Sequence, residues 1–187
     1  MYYILKTDVY QDYGILRDPD LPDGIYFMKG ALIEDELDLP LKFVTNCDEA
    51  NPPREYFECT IPVCSKLMLD ALIEAGVNNI QAFPAVLTSY DGGIEWDGYF
   101  ALNIIGLVSA ADMEKSKFVS IGEWPGGLPF VGFQHLVVDE TKNHYLYLFR
   151  LAESSTEVII HQHVVDHLKK APPPKGWGIG LIKLENS

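Results

Sequence analysis

The chain has 187 residues, 14 Lys+Arg against 27 Asp+Glu, and a net charge of −13, with 48% hydrophobic and 12% aromatic residues. That apolar content excludes the composition of a disordered chain, and the length suits one domain of about 100–200 residues. So acidic a surface repels phosphate backbones and anionic lipid, which argues against nucleic-acid or membrane binding and favours a basic partner.

Tyr2 to Lys6 reads as an opening strand. From Asp8 to Pro40 the pattern loosens, and Arg17 to Gly24 is turn chemistry throughout. Ile25 to Met28 and Leu41 to Thr45 read as short strands within it. A loop over 46–55 carries Pro52 and Pro53. A helix is expected from Pro62 to Ala75, closed by Gly76, with Val63, Leu67, Ala71, Leu72 and Ala75 as its apolar stripe. Asn78 to Leu87 reads as a strand, and Pro84 places it at an edge or a bulge. Tyr99 to Val108 reads as one long buried strand. After the polar stretch Asp112 to Ser116 and a turn at Trp124 to Pro129, Leu136 to Val138 and Tyr145 to Leu151 read as a hairpin turned at 140–143. Glu157 to Ile160, a helix from Gln162 to Lys170 stopped by Pro172-Pro173-Pro174, and a strand after Trp177 complete the chain. Residues 58–87 and 157–184 share an order of β-like run, helix, glycine turn and strand. The expected fold is α+β, a mixed sheet with two helix-plus-strand units packed on it and a loop-rich acidic N-terminal region. It is one domain over 1–187, with residues 1–58 as the acidic part and 59–187 as the α+β core.

Cys47, Cys59 and Cys64 are odd in number and form no CxxC pair, so they read as reduced thiols. The N-terminus lacks a signal-peptide pattern, and the apolar stretch around 101–111 is far short of the roughly 20 residues of a membrane span. A cytoplasmic location is expected.

No GxSxG elbow, GxxxxGK[ST] loop or GxGxxG after a strand is present. His163 and His167 are four apart, so on a helix they share a face with Asp166 close by, but HExxH is missing. A solvated helix face is the expected role, and a small metal-binding protein or enzyme is the alternative. Cys64 has no base beside it. No catalytic residue, metal ligand or cofactor is assigned.

Residues 1–58 hold thirteen acidic and five basic side chains, most of the net charge in under a third of the chain. Asp18, Asp20, Asp23, Glu34, Asp35, Glu36 and Asp38, interspersed with Tyr10, Tyr13 and Tyr26, have the character of a protein-binding surface: charge steers a basic partner and aromatics anchor it. Asp91, Glu95, Trp96 and Asp97 form a second candidate loop, a tryptophan flanked by carboxylates.

The chain opens on Met1-Tyr2-Tyr3-Ile4-Leu5, carries a helix running through Leu72-Ile73-Glu74-Ala75-Gly76-Val77, and continues with Tyr99-Phe100-Ala101-Leu102-Asn103 followed by Asp112-Met113-Glu114-Lys115-Ser116. Leu148 to Leu151 and Val158 to Ile160 extend the pattern through the C-terminal third. In these motifs and their order the chain resembles a family of bacterial immunity proteins that protect cells from polymorphic toxins. Ala171 to Gly176 departs from the family's glycine-containing turn, and the loop near Trp124 looks like an insertion. Asn103 and Asp112 match the signature at positions suited to strand-end or turn hydrogen bonding. The resemblance implies a non-enzymatic inhibitor that binds a cognate toxin. A structural interaction module is the remaining alternative.

Overall fold

Alternation along the strands divides the apolar residues among three cores. The computed structural model describes residues 1–8, 12–123 and 129–187, and shows an α+β protein, mostly sheet. In chain order its elements begin with β1 (Tyr2–Thr7), β2 (Ile15–Arg17), β3 (Leu41–Thr45), β4 (Tyr56–Phe57), β5 (Val63–Ser65), α1 (Lys66–Glu74), β6 (Ile80–Ser89) and β7 (Glu95–Ile104). There follow β8 (Leu107–Val108), β9 (Lys117–Glu123), β10 (Pro129–His135), β11 (Val137–Val138), β12 (Leu148–Leu151), β13 (Ser154–His161), α2 (Gln162–Lys170), β14 (Ile179–Lys183) and β15 (Glu185–Asn186).

Six strands form a mixed sheet in the order β2-β3-β6-β7-β5-β4, and five form a second in the order β14-β1-β13-β12-β8. β9 with β10 and β11 with β15 are two-stranded. In the six-stranded sheet β5 and β6, joined through α1, both run antiparallel to β7 and flank it. In the five-stranded sheet β13 and β14, joined through α2, flank β1 in the same way.

The period of two decides which core each residue enters. Along β7, Phe100, Leu102 and Ile104 face the central core, while Tyr99 and Ala101 face an outer one. Along β13, Val158 and Ile160 face the central core and Ile159 the second outer core. The central core joins one face of each sheet to Met68, Leu69 and Leu72 of α1 and Val164, Val165 and Leu168 of α2. Full burial of such side chains contributes about 1.5–3 kcal/mol each. Arg150, 1% exposed in β12, ties the sheets together: its Nη1 donates to the Ser155 carbonyl at 2.7 Å and its Nη2 to the Thr60 carbonyl at 3.4 Å.

Several sequence expectations are corrected. Pro62 to Ser65 is not helical: Val63 and Cys64 alternate between the outer and central cores as strand residues do, and α1 starts at Lys66, capped by the Ser65 hydroxyl on the Met68 N–H at 3.2 Å. The buried stripe is therefore Met68, Leu69 and Leu72, and Leu67 is exposed. Ile25 to Met28 is not a strand, because Phe27–Lys29 forms a 3-10 turn closed by Gly30 at φ 63°. The long strand expected over 99–108 breaks at Gly106, φ 120°, where the chain leaves one sheet for the other. Leu136 to Val138 and Tyr145 to Leu151 do not pair: β11 joins β15, β12 joins β13 and β8, and His144 and Tyr145 at φ 53° and 61° redirect the chain between them. β6 lies inside its sheet, but β3 pairs with it only from Ala85 onward, so Pro84 sits where β7 alone flanks the strand. The turn expected at 124–129 falls, apart from Pro129, outside the described residues, as does Tyr10.

Candidate functional site

Turn residues keep the stretch 18–40 from forming long elements, and apolar residues fix its underside. Ile25 and Phe27 are buried, and Leu21, Ile33 and Leu37 are partly buried, against Phe43, Val63, Leu87 and Ala101 on the outer face of the six-stranded sheet. The opposite side carries the acids. Asp20, Asp23, Glu34, Asp35, Glu36 and Asp38 are exposed, as is Tyr26. Asp18 is half-buried, and burial pushes its carboxyl above the ordinary value while a hydrogen bond with the Thr60 side chain pulls it back. Asp18, Asp23, Tyr26 and Thr60 line a shallow cavity of about 290 Å³.

Side-chain amides from the sheet pin this cover. Gln81 of β6 accepts the Ile33 N–H at 2.9 Å and donates to the Ile33 carbonyl at 3.1 Å. Asn103 of β7, fully buried, donates to the Ala31 carbonyl at 2.8 Å and to Gln81 Oε1 at 2.7 Å. Lys29 donates to the Gly24 carbonyl at 3.0 Å and lies 4.6 Å from the Tyr26 ring centroid. Asp112 accepts the N–H groups of Glu114 and Lys115 at 3.2 and 3.1 Å, so the second signature residue is a turn former.

The second candidate loop is the β6–β7 turn. Asp91, Glu95 and Asp97 are exposed, but Trp96 is half-buried against the outer core, opposite Leu87 in register. The projecting aromatic is Tyr90, 80% exposed, which the sequence reading passed over although it stands at the tip of a Tyr-Asp-Gly-Gly turn. Hydrogen bonds from the Ser89 hydroxyl and then the Gly93 N–H hold the Asp91 carboxyl below the ordinary value. Glu34 to Asp38 follow the clamp at Gln81, whereas Asp91 follows Ser89 at the other end of β6. The structure therefore sets the acids on two patches, roughly 26 Å apart at ~3.3 Å per strand residue. A partner of standard interface size, about 800 Å² per side, spans such a distance.

Among the described residues, Asp20, Asp23, Glu34, Asp35, Glu36, Asp38, Asp91, Glu95 and Asp97 make no ion pair. The ion pairs lie elsewhere: Lys6 with Glu58 and Glu157 at 2.7 and 2.8 Å, Lys66 with Asp70 at 2.5 Å, and Lys115 with Asp112 at 3.1 Å.

The histidines diverge. His163 packs 4.9 Å from Tyr147 between ring centroids, and His167 Nε2 lies 3.7 Å from Glu74. Asp166 accepts a hydrogen bond from Gln162 at 2.5 Å. Among the described residues no group of three or more His, Cys, Asp or Glu is placed to hold a metal ion. The cysteines are free, and burial pushes the Cys59 and Cys64 thiols well up, away from the nucleophilic thiolate. Among the described residues no helix is long and apolar enough to cross a membrane.

The arrangement is a surface: carboxylates without ion pairs among the described residues, and exposed apolar side chains, on loops of an α+β protein packed over the outer face of the six-stranded sheet. The family model of the immunity protein family Imm11 matches residues 7–186, and the chain belongs to that family. No curated protein matches the chain.

Proposed function

We propose that this protein is the immunity partner of a bacterial toxin, a non-enzymatic inhibitor that binds its cognate toxin through the acidic face and neutralises it. Family membership gives the role. The observation that carries the surface is the set of carboxylates left unpaired on a cover whose backbone is clamped by Gln81 and Asn103. Uncompensated negative charge on a fixed frame accelerates encounter with a basic protein, and the exposed apolar residues between the charges supply contact area. In this reading residues 1–187 act as one unit in the cytoplasm, and the partner is a basic toxin domain rather than nucleic acid or membrane.

The test pairs this protein with the toxin whose gene adjoins its own. Co-expression restores growth to cells making the toxin, and the association rate falls at least tenfold between low and physiological salt, because screening shortens the reach of the acidic face. Growth arrest despite co-expression contradicts the immunity role. Binding at a rate indifferent to salt contradicts the acidic interface.

A further inference from the structure

Beside the β6–β7 turn, β2 and the turn after β3 enclose a groove of about 430 Å³. We infer that this groove is the anchor point for the partner and takes an arginine side chain presented by it; the inference rests on the toxin-binding reading above.

Three features define the occupant. The first is charge. Asp48 and Asp91 line the groove and, among the described residues, no Lys or Arg does, in a chain of net charge −13. Among the described residues, each carboxylate is held by one oxygen only. Asp48 Oδ1 accepts the Asn51 N–H at 2.7 Å, and Asp91 Oδ1 accepts the Ser89 hydroxyl at 2.6 Å and the Gly93 N–H at 3.0 Å. Both are thus oriented before binding, with the second oxygen of each open to a cation.

The second feature is apolar. Leu16, 54% exposed on edge strand β2, and Tyr90, 80% exposed, line the groove together with Ile94. Gathered in one groove, these groups offer apolar contact area to an occupant. A long aliphatic stem lies on Leu16 and Ile94, and a planar cation stacks on the tyrosine ring. Arginine supplies both and presents several N–H donors in one planar fork to the open carboxylate oxygens, which lysine does not.

The third feature is rigidity. Asn46 Oδ1 accepts the Gly14 N–H at 2.7 Å and its amide donates to the Asp12 carbonyl at 2.9 Å, tying β2 to the turn after β3. Across the groove, the Ser89 N–H donates to the Ile94 carbonyl at 2.9 Å. Little ordering remains to oppose binding, as at an interface hot spot.

The experiment has two arms. In the first, the full-length protein is titrated with N-acetyl-argininamide and, separately, with its neutral isostere N-acetyl-citrulline amide, followed by amide chemical shifts. Saturable shifts confined to residues 16, 46–48 and 89–94, absent with citrulline and absent in the Asp48→Asn/Asp91→Asn double variant, are expected. Asparagine keeps the turn-forming oxygen, so the variant still folds, which its melting curve checks. In the second arm, Tyr90→Ala weakens the cognate toxin by about thirtyfold, the mark of a hot-spot aromatic. A toxin that binds wild type and both variants alike overturns the groove and leaves the immunity role standing. A toxin that does not bind at all removes the immunity reading, and the first arm then decides the groove alone: equal shifts with citrulline, or shifts elsewhere, overturn it.

Discussion

The side-chain amide of Gln81 grips both backbone polar groups of Ile33, accepting the N–H at 2.9 Å and donating to the carbonyl at 3.1 Å. Glu34, Asp35, Glu36 and Asp38 follow Ile33 immediately, and their mutual repulsion opposes holding that stretch compact on the sheet. A neutral amide holds it without adding charge. Gln81→Leu removes the clamp and strips Asn103 of one acceptor, costing about 1–3 kcal/mol. Urea unfolding reads the loss, and amide exchange at Ile33 accelerates. Salt restores part of the stability by screening the repulsion. An unchanged midpoint and an unchanged exchange rate contradict the clamp.

Gly30 and Gly106 meet where the cover touches the crossing between the sheets, with the Gly106 N–H donating to the Gly30 carbonyl at 2.9 Å. A Cβ on Gly30, φ 63°, falls 2.7 Å from the Leu107 backbone nitrogen, and one on Gly106, φ 120°, falls 2.9 Å from Leu146 Cδ1. Gly30→Ala meets backbone that cannot yield and lowers stability by about 2–3 kcal/mol, the scale of backbone strain combined with a clash. Gly122→Ala, with nothing within 4 Å among the described residues, changes stability by less than about 1 kcal/mol. Thermal unfolding of the two variants separates them, and equal melting temperatures refute the close approach.

Local chemistry made much of this fold legible. The strand at Tyr2 to Lys6, the helix at 162–170 and the turn-rich stretch 17–24 follow from periodicity and turn residues. What stayed hidden depends on partners distant in sequence. Val63 and Cys64 look helical beside the stripe that follows, and pairing with β4 and β7 makes them a strand. The apolar run over 99–108 gives no sign of the crossing at Gly106, because both sheets bury the residues on either side. Arg150 sits in an apolar strand as if exposed, yet it spans the two sheets. At the candidate site the acidic residues and their division into two loops could be read off, but not that the loops lie toward opposite ends of β6. Trp96 reads as the anchor by residue type, yet it is half-buried against the outer core, and the exposed aromatic of that turn is Tyr90.

The cap of α2 is a histidine, and that makes the helix sensitive to pH. His161 Nδ1 accepts the His163 N–H at 3.2 Å, which it does only while unprotonated. The ring lies between Tyr2, 4.8 Å away, and Tyr147, 5.5 Å away, and is faced by the Met1 amine, Glu140, His163 and Asp166. Burial, and then the positive terminus, lower its pKa below the ordinary histidine value. A depressed histidine contributes stability that is present above the unfolded value of 6.5 and lost as pH falls through the folded one. The melting temperature therefore declines below pH 6.5. His161→Asn keeps a capping oxygen and flattens that decline, whereas His161→Ala costs about 1 kcal/mol at neutral pH. A decline of equal slope in wild type and His161→Asn overturns the assignment.

Asp18 trades stability for charge in the opposite direction. Its carboxyl, half-buried beside Thr60, titrates above the ordinary value because burial disfavours the ion. A carboxyl raised in the folded state lends stability below the unfolded value of 3.8, and that stability disappears as pH rises through the folded value, so at neutral pH the ionised group opposes folding. Asp18→Asn keeps the shape and relieves the opposition. The variant melts higher than wild type at pH 7, and the difference vanishes at pH 3, where both carry a neutral side chain. The same substitution removes one charge from the acidic face and slows association with a basic toxin by a factor of about two or three at low salt, an effect that physiological salt suppresses. A variant less stable than wild type at pH 7 contradicts the burial argument. A variant more stable but unchanged in association rate keeps that argument and places Asp18 outside the contact surface.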